Sequence, residues 1–149
     1  MKVLRFNPPF YFVAAIIIMA ILHEFLPTIH IIDYPWTMTG LLFILLGGVL
    51  NIVADQTFKQ HDTTVKPKEE ANVLVTEGVY KRSRHPMYLG LTLMLLGFAL
   101  LIGTLTPFIV VIVFAIFMDL VYIQFEEKKL EATFGDLWKE YREKTRRWI

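Results

Sequence analysis

The chain has 149 residues, of which 55% are hydrophobic, and its formal net charge is +1. The absence of cysteine excludes thiol chemistry, and four scattered histidines give no indication of a metal site. A charge this close to neutral gives no indication of a nucleic-acid partner. The length fits a single domain over residues 1–149. The mean hydropathy of +0.50, with charges concentrated in two segments, instead indicates a membrane protein.

Four apolar runs predict transmembrane helices, since a bilayer core takes roughly 20 apolar residues as helix. The predicted spans cover residues about 9–26, 37–54, 87–102 and 107–125. The first run follows Lys2 and Arg5, as a signal peptide would, but no small-residue cleavage site follows it. We therefore predict an all-α, polytopic membrane helical bundle with a long loop at 56–86 and a C-terminal lid at 126–149.

The distribution of lysine and arginine predicts the orientation of this bundle. Segments 28–36 and 103–106 carry neither residue type, whereas loop 56–86 carries six such residues and the C-terminal segment is rich in both. The positive-inside rule then places both termini and the long loop in the cytoplasm. The short, compact chain is typical of a multi-pass protein of a prokaryotic inner membrane.

Small residues predict a close approach of the second and third spans. Gly40 and Gly47 lie seven residues apart on one span, and Gly90 and Gly97 lie seven apart on the other. Small residues on one face allow helix backbones to approach in a membrane. The alternative is that glycine is simply common in membrane helices.

Polar residues fall at one depth, at the cytoplasmic ends of the predicted spans. Asn51 and Asp55 lie one turn apart, and Asp119 and Glu126 lie seven residues apart on roughly the same helical face. Ionisable groups in a membrane are costly and usually face an interior cavity. The set predicts a polar cytoplasmic pocket, and the alternative is anchoring at the lipid headgroups.

The segment LVTEGVYKRSRHPMYLG, residues 74–90, predicts one wall of that pocket. Pro86 suits the first turn of a helix, whose positive dipole end favours an anion. Arg84 offers a planar donor fork for a carboxylate, and Gly90 would let a ligand approach the backbone. The segment therefore predicts a site for a small anionic or zwitterionic group, such as the amino-acid end of a cofactor.

An acidic pair, Glu126 and Glu127, stands where the fourth helix is expected to leave the membrane. Adjacent side chains on a helix point about 100° apart, so the two carboxylates need not share one ligand. One can bind a cation while the other pairs with lysine or arginine. The alternative is an ordinary solvated helix exit.

The two clusters together resemble the membrane methyltransferase family of isoprenylcysteine carboxyl methyltransferases and phospholipid N-methyltransferases. The resemblance covers residue 74 to the end of the chain. It implies S-adenosylmethionine-dependent methyl transfer to a lipophilic or membrane-associated acceptor that arrives from the bilayer at the cytoplasmic face. The residues implied in cofactor binding are Arg84, His85, Pro86, Tyr88, Gly90, Glu126, Glu127 and, in the lid, Tyr141.

Methyl transfer from a sulfonium is an in-line displacement, so the protein mainly orients the reactants and excludes water. An amine or thiol acceptor requires a base, for which Glu127 and His85 are both candidates. An anionic acceptor requires none. The isoprenylcysteine enzymes carry an arginine shortly before the acidic pair, where this chain has residues 122–124, Tyr-Ile-Gln.

Two other functions remain open at this point. Membrane sterol reductases share a related helical core and use a nicotinamide cofactor, which is an analogy of fold alone. A non-enzymatic membrane scaffold of the same fold is the third possibility. Cofactor titration separates the three, whereas the acceptor and the oligomeric state are not determined by the sequence.

Overall fold

A computed structural model describes residues 7–26, 29–60 and 73–149. Within these ranges the named elements are all helical, which confirms the all-α prediction. The helices are α1 (Pro8–Phe25), α2 (Thr39–Gln60), α3 (Pro86–Ile102), α4 (Leu105–Phe117), α5 (Gln124–Phe134) and α6 (Asp136–Lys144). A π-helical turn, Met118–Ile123, joins α4 to α5, and 3-10 turns cover Trp36–Met38 and Gly78–Lys81.

Three helices are long and apolar enough to cross a membrane: Pro8–Phe25, Trp36–Gln60 and Leu105–Phe134. The fourth apolar helix, α3, is shorter at 17 residues. The outer surface of the bundle is apolar, since Leu45 is 63% exposed and Ile112 is 59% exposed. Helices that turn leucine and isoleucine outward are suited to hydrocarbon rather than to water.

Two predicted boundaries are corrected by the structure. Helix α2 runs on to Gln60, so residues 56–60 of the predicted loop are helical. The helical stretch that begins with α4 continues through α5, because glutamate and lysine are good helix formers, and the chain turns away only at Gly135. Gly135 has φ +53°, in the region that favours glycine.

Lys2 and Arg5, like residues 61–72 of the loop, lie outside the described residues.

Helix α3 lies at the centre of the bundle and packs against α2, α4 and α1. A Cβ atom on Gly47 would meet the carbonyl oxygen of Gly90, and one on Gly97 would meet that of Gly40. Backbone therefore lies on backbone along α2 and α3. The predicted close approach of these two helices is confirmed.

The turn between α3 and α4 closes the end of the bundle opposite Arg84. Gly103 ends α3 in the left-handed region at φ +73°. Its carbonyl accepts hydrogen bonds from the amides of Ile31 and Ile32, at 3.0 and 3.1 Å. The Leu105 amide in turn donates to the Ile29 carbonyl at 3.0 Å. This backbone pairing holds the α1–α2 connection against the turn between α3 and α4.

Candidate functional site

A cavity of about 600 Å³ lies at the N-terminal end of α3. It is enclosed by the start of α1, the second half of α2, the turn before α3, and helices α5 and α6. Its volume falls within the usual range for small-molecule sites, about 300–1,000 Å³. The polar side chains on its wall include Asn51, Asp55, Arg84, His85, Tyr88 and Glu126.

The first turn of α3 forms one wall of this cavity. The helix begins at Pro86, after His85 in the N-cap position, and the His85 amide donates to Ser83 Oγ at 3.2 Å. The leading N–H groups of a helix lack intrahelical partners, and the helix dipole adds positive potential. This wall therefore favours a negatively charged group.

The Arg84 side chain binds the protein's own carboxylate. Its Nε and Nη2 donate to Glu127 Oε1 at 3.1 and 2.9 Å. Its Nη1 donates to the carbonyls of Arg142 at 3.0 Å and Thr145 at 2.6 Å. The guanidinium also lies 5.8 Å from the ring centroid of Trp138. The Arg84 guanidinium, which the sequence analysis assigned to a ligand, thus joins α5 to the C-terminal segment.

The two acidic residues diverge, as their 100° separation predicts. Glu126 faces the cavity, and its Oε2 accepts a hydrogen bond from the Tyr88 hydroxyl at 3.1 Å. Glu127 is buried at 9% exposure and is bound from two sides by Arg84 and Arg147. Glu126 is therefore the carboxylate on the cavity wall, and Glu127 is the one that holds the surrounding segments together.

His85 lies between the two carboxylates. Its Nε2 is 3.3 Å from Glu127 Oε1, and its Nδ1 is 3.8 Å from Glu126 Oε2. The residue is only 4% exposed, yet it contributes to the cavity wall. The imidazole thus contacts Glu127 directly and also reaches the cavity.

Asp119 does not share the face of Glu126, so that prediction is wrong. Its carboxylate accepts from Trp148 Nε1 at 3.1 Å and from Arg147 Nη1 at 3.3 Å. The reason is the turn Met118–Ile123, because a π-helical turn accommodates about one residue more than an α-helical turn. The shift turns Asp119 away from the cavity.

Gly90 contacts a helix rather than the cavity. A Cβ atom there would collide with the Asn51 side chain and the Gly47 carbonyl. The space that the sequence suggested for a ligand is occupied by α2.

Tyr141 reaches the cavity from α6. Its hydroxyl donates to the Tyr80 carbonyl at 2.6 Å. Burial raises the pKa of Tyr141, against an opposing effect of the Arg84 charge, so the phenol stays protonated as a donor. This bond ties α6 to the turn before α3.

Three residues of this region escaped the sequence reasoning. Trp138 and Tyr80 are buried at 1% and 5% exposure and line the cavity. Trp138 stands three residues before Tyr141, a spacing that marks one face of a helix and could have identified it. Arg147 carries no local signal, because its partners Glu127 and Asp119 are 20 and 28 residues away.

Comparison with known proteins identifies a family. The family described as phospholipid methyltransferase matches residues 36–137 of this chain. That range includes the α2–α3 pair, the Arg84 motif, the acidic pair and the start of α6. The match thus covers most of the cavity wall.

Individual relatives extend the comparison. A protein-S-isoprenylcysteine O-methyltransferase of Schizosaccharomyces pombe is 30% identical over 123 residues, covering 78% of this chain and 50% of that protein. One from Saccharomyces cerevisiae is 37% identical over 114 residues, covering 72% and 46%. An uncharacterised Haemophilus influenzae protein is 40% identical over 63 residues, covering 42% of this chain and all of its own length. The chain spans about half the length of the two yeast enzymes.

Proposed function

This chain belongs to the phospholipid methyltransferase family, and on that premise we propose that it transfers a methyl group from S-adenosylmethionine to a lipophilic acceptor at the cytoplasmic face of a membrane. The observation that supports this most is the cavity at the start of α3. There a helix N-terminus and the Glu126 carboxylate face a space with apolar walls. A reaction between a charged cofactor and a lipophilic acceptor requires such a combination of polar and apolar walls.

The donor set on the cavity wall fits the cofactor. The N-terminus of α3 suits its carboxylate, and the Glu126 carboxylate suits its ammonium or sulfonium group. Tyr88 holds Glu126 through a hydrogen bond of 3.1 Å, which keeps the negative charge in a defined place. The cofactor supplies an activated methyl group, and the protein orients the partners and excludes water.

Among the two candidate bases, the contacts favour His85. Glu127 is bound to two guanidinium groups, which stabilise its anion and make it a poor proton acceptor. His85 lines the cavity and contacts Glu127, which can orient the ring and stabilise the imidazolium that forms. We therefore assign proton acceptance to His85 where the acceptor is an amine or thiol, and a positioning role to Glu127 and Arg84.

The acceptor would enter from the bilayer. Ile52 and Leu91 line the cavity, and Ile52 is 59% exposed on the outer surface of α2. The residues before the acidic pair, Tyr122 and Ile123, are buried in the core with Tyr11 and provide no cation for a carboxylate. The isoprenylcysteine enzymes carry an arginine there, and this difference supports an acceptor without a free carboxylate, such as a lipid amine.

We further propose four spans, with α3 as the shortest. Its 17 residues make about 25 Å of helix, near the lower limit for crossing a bilayer. Basic residues gather at the cavity end of the bundle, including Lys59, Lys81 and Arg82, while segments 29–38 and 103–104 carry none. By the positive-inside rule, we propose that the cavity lies on the cytoplasmic side and that α6 is its lid. We propose a prokaryotic inner membrane as the location.

Calorimetry on the purified protein in detergent tests the cofactor. Titration with S-adenosylmethionine or its demethylated product should give saturable binding, and titration with a nicotinamide dinucleotide should give none. Binding of the dinucleotide alone would favour a reductase, and binding of neither would favour a scaffold.

A second experiment identifies the acceptor class. Transfer of labelled methyl to phosphatidylethanolamine is compared with transfer to a prenylcysteine analogue.

A further inference from the structure

The C-terminal tail, residues 145–149, lies along the turn that precedes α3. The Arg84 amide donates to the Arg146 carbonyl at 2.9 Å, and Ser83 Oγ donates to the Arg147 carbonyl at 3.3 Å. The Thr145 carbonyl accepts from Arg84 Nη1 at 2.6 Å. The tail is therefore a backbone partner of the segment that leads into the cofactor cavity.

Side chains anchor this tail to the π-helical turn and to α5. Trp148 Nε1 donates to Asp119 Oδ1 at 3.1 Å. Arg147 binds Glu127 Oε2 through Nη2 at 2.6 Å and Asp119 Oδ2 through Nη1 at 3.3 Å. One guanidinium thus bridges a carboxylate of the π-helical turn and a carboxylate of α5. We call Asp119, Arg147 and Trp148 the tail latch.

The π-helical turn makes this bridge possible. Asp119 and Glu127 are eight residues apart, a separation that in an unbroken α-helix puts them about 80° apart around the axis. The extra residue taken up by the turn Met118–Ile123 returns them to nearly one face. Both then reach Arg147, while Glu126 is left to face the cavity.

We propose that Asp119 is a positioning residue for the methyltransferase site. Through Arg147 and Trp148 it anchors the tail, and the anchored tail holds Glu127 and Arg84 beside the start of α3. Asp119 itself lies outside the cavity lining among the described residues, so it acts on the cofactor only through this chain of contacts. The inference rests on the proposed function of the cavity.

The test compares adjacent arginines of the tail. Arg147→Ala breaks the latch, whereas Arg146→Ala removes the same charge from an exposed side chain and keeps the backbone carbonyl. Asp119→Asn and Trp148→Phe loosen the latch without touching Glu127, and they carry the test if Arg147→Ala fails to fold. Arg147→Lys is the conservative variant. Each protein is titrated with the demethylated cofactor well below its unfolding temperature.

We expect Arg147→Ala to bind the cofactor about tenfold more weakly, because Glu127 and Arg84 lose the contact that holds them beside the start of α3. Asp119→Asn and Trp148→Phe should lose severalfold, Arg147→Lys should recover part of the loss, and Arg146→Ala should stay within about twofold of wild type. Unchanged affinity in the folded latch variants overturns the inference, even where their unfolding temperatures fall, because a merely structural contact would behave in that way.

Hydrogen exchange at the Arg84 amide gives a readout that needs no cofactor, since that amide is bound by the tail. We expect faster exchange there in Asp119→Asn and Trp148→Phe than in Arg146→Ala. Exchange equal to wild type means that the latch does not dock the tail, and overturns the inference. Wild-type protein that binds no sulfonium cofactor, with exchange still altered in the variants, would instead overturn the proposed function and, with it, the role given to Asp119.

Discussion

Two neighbouring glutamates take opposite roles because of what surrounds each carboxylate. Glu126 stands on the cavity wall with Tyr88 as its hydrogen-bond donor. Glu127 is enclosed by Arg84, Arg147 and His85. A buried carboxylate with two cationic partners is costly to alter, whereas a partly exposed one is free to meet a ligand.

The first prediction follows for Glu126. The Glu126→Gln variant keeps the shape of the side chain but removes the charge that faces the cavity. We expect it to bind S-adenosylmethionine about tenfold more weakly, corresponding to the loss of one charge-assisted hydrogen bond, with an unfolding temperature near wild type. The control is Glu140→Gln, an exposed residue of α6 paired only with Lys144 among the described contacts. Equal affinities in the two variants would remove Glu126 from the site.

The second prediction concerns Glu127. Glu127→Gln leaves the Arg84 guanidinium, whose side chain is 8% exposed, without the carboxylate that it binds. We expect about 2–4 kcal/mol less stability, seen as a clear fall in unfolding temperature that Glu126→Gln does not show. A Glu127→Gln protein as stable as wild type would mean that the guanidinium groups find other partners.

At the scale of elements, two features place the site. The α2–α3 pair brings Asn51 and Asp55 to the start of α3, and the π-helical turn sets which residues of α5 face the cavity. Small residues set the first feature, since side chains larger than glycine would force the helices apart.

The third prediction compares adjacent glycines of α2. A Cβ atom on Gly47 would collide with the Gly90 carbonyl, whereas one on Gly48 meets nothing within 4 Å. We expect Gly47→Ala to destabilise the protein by about 1–3 kcal/mol, and Gly48→Ala to be neutral or slightly stabilising because alanine favours helix. Thermal unfolding in detergent measures both. Equal behaviour of the two variants would contradict backbone contact between α2 and α3.

At the scale of the whole molecule, charge and hydropathy divide the bundle along its axis. One end carries the cavity, α6 and basic residues that include Lys59, Lys81 and Arg82. The other carries the turn at Gly103 and segment 29–38, which lacks lysine and arginine. An integral membrane protein with this asymmetry is inserted in one orientation.

The fourth prediction tests that orientation by cysteine labelling, for which a cysteine-free chain is suited without further change. Lys144→Cys marks the cavity end, and Tyr34→Cys, at an 80% exposed position, marks the other. In intact cells an impermeant maleimide should label Tyr34→Cys and leave Lys144→Cys unlabelled until the membrane is opened. The reverse pattern would place the cavity on the outer face.

The sequence by itself determined the features that depend on local pattern. Apolar runs of the right length predict the helices, and Pro86 with its flanking residues predicts where α3 begins, because helix propensity, hydropathy and proline geometry act over a few residues. Together with the acidic pair, that motif also indicated the family.

Only the tertiary structure decided which of those residues meet. Arg84 and Glu127 are 43 residues apart, and nothing near either one shows that they bind each other rather than a ligand. The π-helical turn overturned the shared face of Asp119 and Glu126, because a helical phase counted from sequence assumes 3.6 residues per turn throughout. The space beside Gly90 is occupied by α2 rather than by a ligand, and the sequence around a glycine does not show which of the two will lie there.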